Sequence, residues 1–188
     1  MEGDEGTIRI PEICEATGVN YGSVYHHFGS RDGVIDAAYS YLFSTIVEEE
    51  IALINTAGLV PAKGQRELIL NTLKFNLTQS DVRAQNRRIR LRVIAASVTR
   101  PLLRERVQEL HRQLFVAFVA LVERMKVNGA VRPDVASPAL VALVQATLFG
   151  RLLEDLLDGA VPSDEWEALV GQVASAFLTD DDPEQLQH

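Results

Sequence analysis

Residues Ile10 to Val34 read IPEICEATGVNYGSVYHHFGSRDGV and contain the clearest local folding signals in the chain. Pro11 suits the first turn of a helix, and Gly18 suits the left-handed residue that ends one. Asn20 is a good N-cap for a second short helix over Tyr21–Phe28. Two short helices joined by a three-residue turn containing glycine have the proportions of a helix-turn-helix.

The rest of the chain also has helical periodicity, with no sustained strand alternation. Ser30 is predicted to cap a third helix, from Arg31 to about Asn55, and Ser137 and Ser163 to cap two later ones. Further helices are predicted over Gln65–Leu77, Val82–Val98, Pro101–Val127, Ser137–Leu157 and Asp164–Leu178. The sequence therefore predicts an all-α fold of eight or nine helices.

Composition indicates a folded protein, because 47% of the residues are apolar and 23% are charged. The single cysteine, Cys14, cannot form an internal disulfide, which favours a cytoplasmic location. The longest apolar run, Leu114–Val122, is too short to span a bilayer, so we expect no membrane insertion.

Charge is distributed unevenly along the chain. The net charge is −8, which argues against a general nucleic-acid binder. The segment 81–126 is nevertheless strongly basic, and 152–188 contains ten acidic residues without Lys or Arg. These two parts either attract each other, within one chain or between two, or simply form solvated helix faces.

The second short helix is predicted to face outward with a group of hydroxyl, aromatic and imidazole side chains. Hydroxyl groups can bind phosphate oxygens, histidine can donate to a phosphate or a base edge, and glycine permits a close approach. An ordinary helical hairpin is the alternative. The group comprises Tyr21, Gly22, Ser23, Tyr25, His26 and His27.

The run TGVNYGSVYHHFGSRDGV, residues 17–34, resembles the DNA-reading segment of the TetR family of transcriptional regulators. The resemblance implies a homodimer with a helix-turn-helix domain over 1–46 and a larger helical, effector-binding and dimerisation domain over 47–188. It implies a repressor that binds a pseudo-palindromic double-stranded DNA operator and is released by a small-molecule effector of unknown identity. The implied DNA contacts are Asn20, Tyr21, Gly22, Ser23, Tyr25, His26, His27 and Arg31.

The segment departs from the family pattern in three ways. A complete helix normally precedes it, and residues 1–6 cannot supply one, so we expect either that the start lies inside a longer product or that the helix has been lost. Ile10 and Pro11 stand where a capping Thr or Ser normally binds phosphate. Finally, residues 7–40 have a charge of −2, which weakens phosphate binding. The alternative function is therefore a TetR-fold ligand-binding or scaffolding dimer that has lost DNA binding.

A ligand-gated regulator needs a cavity among its helices, and aliphatic and aromatic residues on the middle helices could line it. One arginine of the group Arg87, Arg88, Arg90 and Arg92 could turn inward to hold an effector's carboxylate or phosphate, although a salt bridge to the acidic last helices is the favoured alternative. The predicted pocket residues are Leu73, Leu77, Arg90, Val93, Ile94, Phe115, Phe118 and Phe149.

The last two helices are predicted to form the dimer interface, because two of them from each chain would make a four-helix bundle. The alternative is that they pack only internally. The predicted interface residues are Leu140, Val144, Leu148, Leu152, Trp166, Leu169, Val170, Val173 and Phe177. The sequence has no Gly-rich phosphate loop, no Cys-His metal spacing and no nucleophile elbow, so we expect neither an enzyme nor a cofactor or metal site.

Overall fold

The computed structural model describes residues 8–61, 64–65, 67–70, 81–154 and 161–179. Its helices are α1 (Ile10–Thr17), α2 (Tyr21–Phe28), α3 (Arg31–Ala57), α4 (Asp81–Ser97), α5 (Pro101–Val127), α6 (Ser137–Glu154) and α7 (Ser163–Ser175). Residues 64–65 and 67–70 are also helical. In these ranges the only strand-like pairing is an isolated bridge between Val131 and Leu178. The prediction of an all-α fold is confirmed.

Local signals place the N-terminal helices as predicted. Gly18 ends α1 with a φ of 71°, the left-handed conformation that favours glycine. The side chain of Asn20 caps α2 by accepting a hydrogen bond of 2.7 Å from the backbone N–H of Gly22. Ser30 caps α3 in the same way, accepting from the N–H of Gly33 at 3.0 Å.

Two predicted caps are wrong. Ser137 and Ser163 are the first residues of α6 and α7, and Pro162 precedes α7 without a side-chain cap. The hydroxyl group of Ser137 instead donates to Glu123 Oε1 at 2.5 Å, so a contact with another helix has replaced the local one. The last helix also ends at Ser175 rather than Leu178, because the chain turns there to pair with Val131.

The core lies mainly between α3 and α5, which run side by side in the same direction. Near their starts Arg100 contacts Asp36, and near their ends the guanidinium group of Arg124 lies over Gly58. α4 and α6 pack against this pair. The buried side chains of α3 are Ile35, Tyr39, Phe43, Ile46, Val47 and Ile54, and those of α5 are Leu103, Val107, Leu110, Leu114, Leu121, Val122 and Met125.

The end of α7 is fastened to the loop after α5 by backbone hydrogen bonds. The N–H of Arg132 donates to the carbonyl of Phe177 at 3.0 Å, and that of Thr179 donates to Ala130 at 3.2 Å. These bonds hold the segment that follows α7 against the loop that follows α5. None of the helices in the described ranges combines the length and apolar character that crossing a bilayer requires.

Candidate nucleic-acid interface

The first two helices bury little of their surface. Ile10 and Val24 are 3% and 6% exposed, so each short helix has one buried side chain. Val19, in the turn between the helices, and Phe28, at the end of α2, are 46% and 36% exposed. A residue in a turn or at a helix end has few neighbours on an element this short.

α2 presents one continuous polar face to solvent. Tyr21, Gly22, Ser23, His26 and His27 are all exposed, and Tyr25 is half-buried. Because successive residues are turned by about 100° around a helix, Gly22 and His26 lie opposite the buried Val24. The predicted outward-facing group is therefore assembled on one short helix.

A tyrosine pair borders this face. Tyr21 donates a hydrogen bond of 3.3 Å to the hydroxyl oxygen of Tyr25, and the two ring centroids are 4.8 Å apart. The hydrogen bond to Tyr25 raises the pKa of the Tyr21 hydroxyl above its ordinary value. The Tyr21 hydroxyl thus stays protonated near neutral pH, and a tyrosine hydroxyl can donate to a phosphate oxygen.

Gly33 fixes how α2 meets α3. A Cβ atom at position 33 would collide with the carbonyl oxygen of Phe28, the last residue of α2. The absence of a side chain lets the first turn of α3 sit directly against the end of α2. The angle at which the polar face of α2 is presented therefore depends on this glycine.

Arg31, the predicted phosphate contact, is partly engaged inside the chain. Its Nε atom donates a hydrogen bond of 3.0 Å to the backbone carbonyl of Ile8, and the side chain is half-buried. This bond ties the segment before α1 to the start of α3. No local sequence pattern predicts this bond, because the two residues are 23 positions apart.

Arg100 reduces the negative charge at the base of the two short helices. Its Nη1 atom lies 2.7 Å from Asp36 Oδ1, and its Nη2 atom lies 3.9 Å from Asp32 Oδ1. Two of the four acidic groups that make this segment unfavourable for DNA are therefore paired with a cation from the body. The three side chains, with Thr99, Pro101 and Leu102, line a cleft of about 350 Å³.

The predicted effector-pocket residues are only partly brought together. Leu73 and Leu77 lie outside the described residues. Val93 is fully buried, whereas Ile94, Phe115, Phe118 and Phe149 are half-buried. Arg90 does turn inward, but it pairs with Glu50 of α3 at 2.5 Å and not with the acidic last helices, as we had favoured.

The predicted interface residues on α6 and α7 differ in exposure. Leu169 and Val173 of α7 are 52% and 47% exposed, and Leu143 of α6, which is not among the predicted residues, is 50% exposed. Leu140 and Val170 are buried within the chain. Val144, Trp166 and Phe177 are half-buried. The side chains of Leu148 and Leu152 lie outside the part of the chain that the structure describes.

The family model for bacterial regulatory proteins of the tetR family matches residues 7–38, the segment that forms α1, α2 and the start of α3. Residues 7–38 carry the N-terminal domain of the TetR family. The resemblance recognised in the sequence is confirmed, and this TetR-type domain is that of a DNA-binding transcriptional regulator. The matched family consists of regulatory proteins, not enzymes, as the sequence predicts.

Solved structures show that the whole fold is shared. A TetR transcriptional regulator from Chloroflexus aurantiacus is 24% identical, with a TM-score of 0.63 over 93% of this chain and 87% of its own. A protein from Saccharomonospora viridis, solved in complex with choline, is 15% identical, with a TM-score of 0.66 over 94% and 90%. The ketosteroid transcriptional regulator KstR2 of Mycobacterium tuberculosis is 13% identical, with a TM-score of 0.59 over 94% and 87%. Comparison with curated protein sequences gives no match.

Proposed function

We propose that this protein is a homodimeric repressor that binds a pseudo-palindromic DNA operator and is released from it by a small molecule. The observation that carries the proposal is the exposed polar face of α2, held by the Asn20 cap and by the close packing of Gly33 on Phe28. A helix presented in this way can enter the major groove, and two-fold symmetry would place a second copy in the next half-site.

The residues of this face have different roles in the proposal. Gly22 and His26, opposite the buried Val24, approach the base edges. The hydroxyl groups of Tyr25 and Ser23, on either side, donate to the phosphates. Asn20, Tyr21, His27 and Arg31 complete the DNA-binding set at its margins.

The division of the chain follows the same proposal, with a DNA-binding domain over 1–46 and a ligand-binding and dimerisation domain over 47–188. α3 continues without interruption across this boundary. A continuous helix transmits a tilt of the body directly to α2. The exposed Leu143, Leu169 and Val173 give the second copy an apolar surface.

Two of the similar structures support a small-molecule effector. One was solved in complex with choline, and another is a regulator named for ketosteroids. In this chain the half-buried Ile94, Phe115, Phe118 and Phe149 are the apolar residues that such a ligand would contact, beside the buried Val93.

A gel-shift experiment with the DNA that flanks the protein's own gene tests the proposal. Tyr25→Ala should abolish the shift while leaving the mass of the dimer unchanged. The matched control is Tyr41→Ala, which removes a tyrosine that is 72% exposed on α3 and should leave the shift intact. A wild-type protein that is monomeric, or a Tyr25→Ala variant that binds as well as wild type, would contradict it.

A second candidate is a dimer of the same fold that binds a ligand without binding DNA. The charge of −2 over residues 7–40 and the bond between Arg31 and Ile8 favour it. The two candidates differ in a gel shift repeated with a chain extended by any in-frame codons upstream. A shift seen with neither chain, together with a dimeric mass, would favour the second candidate.

A further inference from the structure

A buried charged cluster joins three helices in the middle of the body. Arg90 of α4 has a side chain that is 15% exposed, and its Nη2 atom lies 2.5 Å from Oε2 of Glu50 on α3. That nitrogen is inaccessible to water and has no acceptor in hydrogen-bonding geometry among the described residues. His111 of α5 is half-buried within the field of both charges.

The two partners of this ion pair differ in their access to water. Glu50 is 32% exposed, about twice the value for Arg90. If the contact were broken, Glu50 could turn to solvent at small cost, whereas Arg90 would stay largely desolvated. A buried cation without an anion is strongly unfavourable. Arg90 therefore needs a carboxylate or an equivalent anion, but that anion does not have to be Glu50.

Apolar surface continues from the cluster along α5. Phe115 and Phe118 follow His111 by one and two helical turns. Both side chains pack against the core yet remain only half-buried. A cationic end with an apolar extension matches the chemistry of an amphipathic acid.

We propose that Arg90 binds the carboxylate of a small amphipathic acid, which displaces Glu50 and lies along Phe115 and Phe118. This inference rests on the proposed function, since it names the chemical class of the effector. Arginine offers two parallel N–H donors to a carboxylate, and such charge-assisted bonds are the strong ones.

Replacement of Glu50 by the ligand would couple ligand binding to the DNA-binding helices. Glu50 lies in the second half of α3. Gly33, which packs on the end of α2, lies in the first turn of the same helix. The Arg90–Glu50 pair holds α3 to α4. When the ligand takes Arg90, that ion pair is lost and the attachment of α3 to α4 is weaker. The bound and unbound forms thus differ in a contact on the helix that orients α2.

Binding is tested first without DNA, by calorimetry and thermal shift on the full chain. The probes are decanoate and phenylacetate, and the matched neutral probes are decanol and 2-phenylethanol. The acids should stabilise the wild-type protein and the alcohols should do so much less. If no acid stabilises the protein beyond its matched alcohol, the proposal is wrong.

Two substitutions assign the site. Arg90→Gln should weaken binding of the acids by about tenfold or more, the usual effect of losing a hydrogen bond to a charged group. Glu50→Gln, which removes the competing anion, should strengthen it. Arg88→Gln, at an exposed position on the same helix, is the control and should change nothing. If Arg90→Gln does not fold, Glu50→Gln decides alone, and unchanged or weaker binding of the acids by that variant overturns the proposal.

Failure of the inference can be distinguished from failure of the proposed function. A protein that shifts DNA but does not respond to the acids retains the proposed function and refutes the carboxylate site. Conversely, acids that bind through Arg90 to a dimer that shifts no DNA would support the site and refute the repressor. Release of the shifted DNA by decanoate in the wild type, and not in Arg90→Gln, supports both.

Discussion

The pair α1–α2 and the pair α3–α5 achieve stability by different means. Each of the two short helices buries one side chain, Ile10 in α1 and Val24 in α2. The two long helices bury six and seven, which form most of the core. The short pair therefore depends on caps, a turn and one close glycine contact, whereas the long pair depends on apolar packing. Changes at single backbone positions should disturb the first pair most, and lost side-chain volume should disturb the second.

The largest expected effect is on the long pair. Phe43→Ala removes a side chain that is 2% exposed between α3 and α5, and should lower the free energy of unfolding by about 3–5 kcal/mol. Chemical denaturation measures it. The control Tyr41→Ala, on the outer side of the same helix, should stay within about 0.5 kcal/mol of wild type. If Phe43→Ala lowers the free energy of unfolding as little as Tyr41→Ala does, the long pair does not depend on apolar packing as described.

Gly33→Ala should act on the joint between the two pairs. The added Cβ would collide with the carbonyl oxygen of Phe28, so α2 must shift against α3, at a cost of about 1–3 kcal/mol. The affinity for DNA should fall by at least about tenfold, since a displaced α2 misses the groove. Gel shift and dimer mass are the measurements, and the mass should not change. Wild-type affinity in this variant would show that the angle of α2 does not depend on Gly33.

A smaller loss is expected from Asn20→Ala, which removes the cap of α2. The hydrogen bond from the Gly22 N–H disappears, at a cost of about 1 kcal/mol. Hydrogen exchange should show faster opening in α2 and unchanged protection in α5. Asn20→Ser and Asn20→Asp keep a capping oxygen and should restore protection. Equal loosening of α2 and α5 would mean that the two pairs unfold as one unit.

The smallest effect concerns pH and His111 in the long pair. Burial lowers the pKa of His111, the Arg90 charge lowers it further, and the Glu50 charge opposes both. In the unfolded chain the imidazole binds its proton at a higher pH, near 6.5. Stability should therefore be intact above that value and decline as pH falls below it. His111→Gln should show a shallower decline between about pH 7 and pH 5 in thermal unfolding. Parallel curves for the two proteins would contradict this.

The difference between local caps and long-range packing also explains which features of the structure the sequence predicts. Gly18, Asn20 and Ser30 act on residues within four positions, so their caps follow from local chemistry. The pairing of Arg90 with Glu50, the bond from Arg31 to Ile8 and the contact between Arg100 and Asp36 join residues far apart in the chain. Periodicity predicts which face of a helix is apolar, but not which neighbour that face meets. For that reason the outward face of α2 was predicted and the partner of Arg90 was not.

The proposed function requires α2 to contact DNA twice, once from each copy of a symmetric dimer. Selection from a pool of random-sequence duplexes tests this requirement. The purified full chain should enrich an inverted repeat whose half-sites are separated by about one or more turns of DNA. Tyr25→Ala, selected in parallel, should enrich nothing. Failure of the wild-type protein to enrich any sequence, or enrichment of a single site without symmetry, would contradict DNA binding by a symmetric dimer.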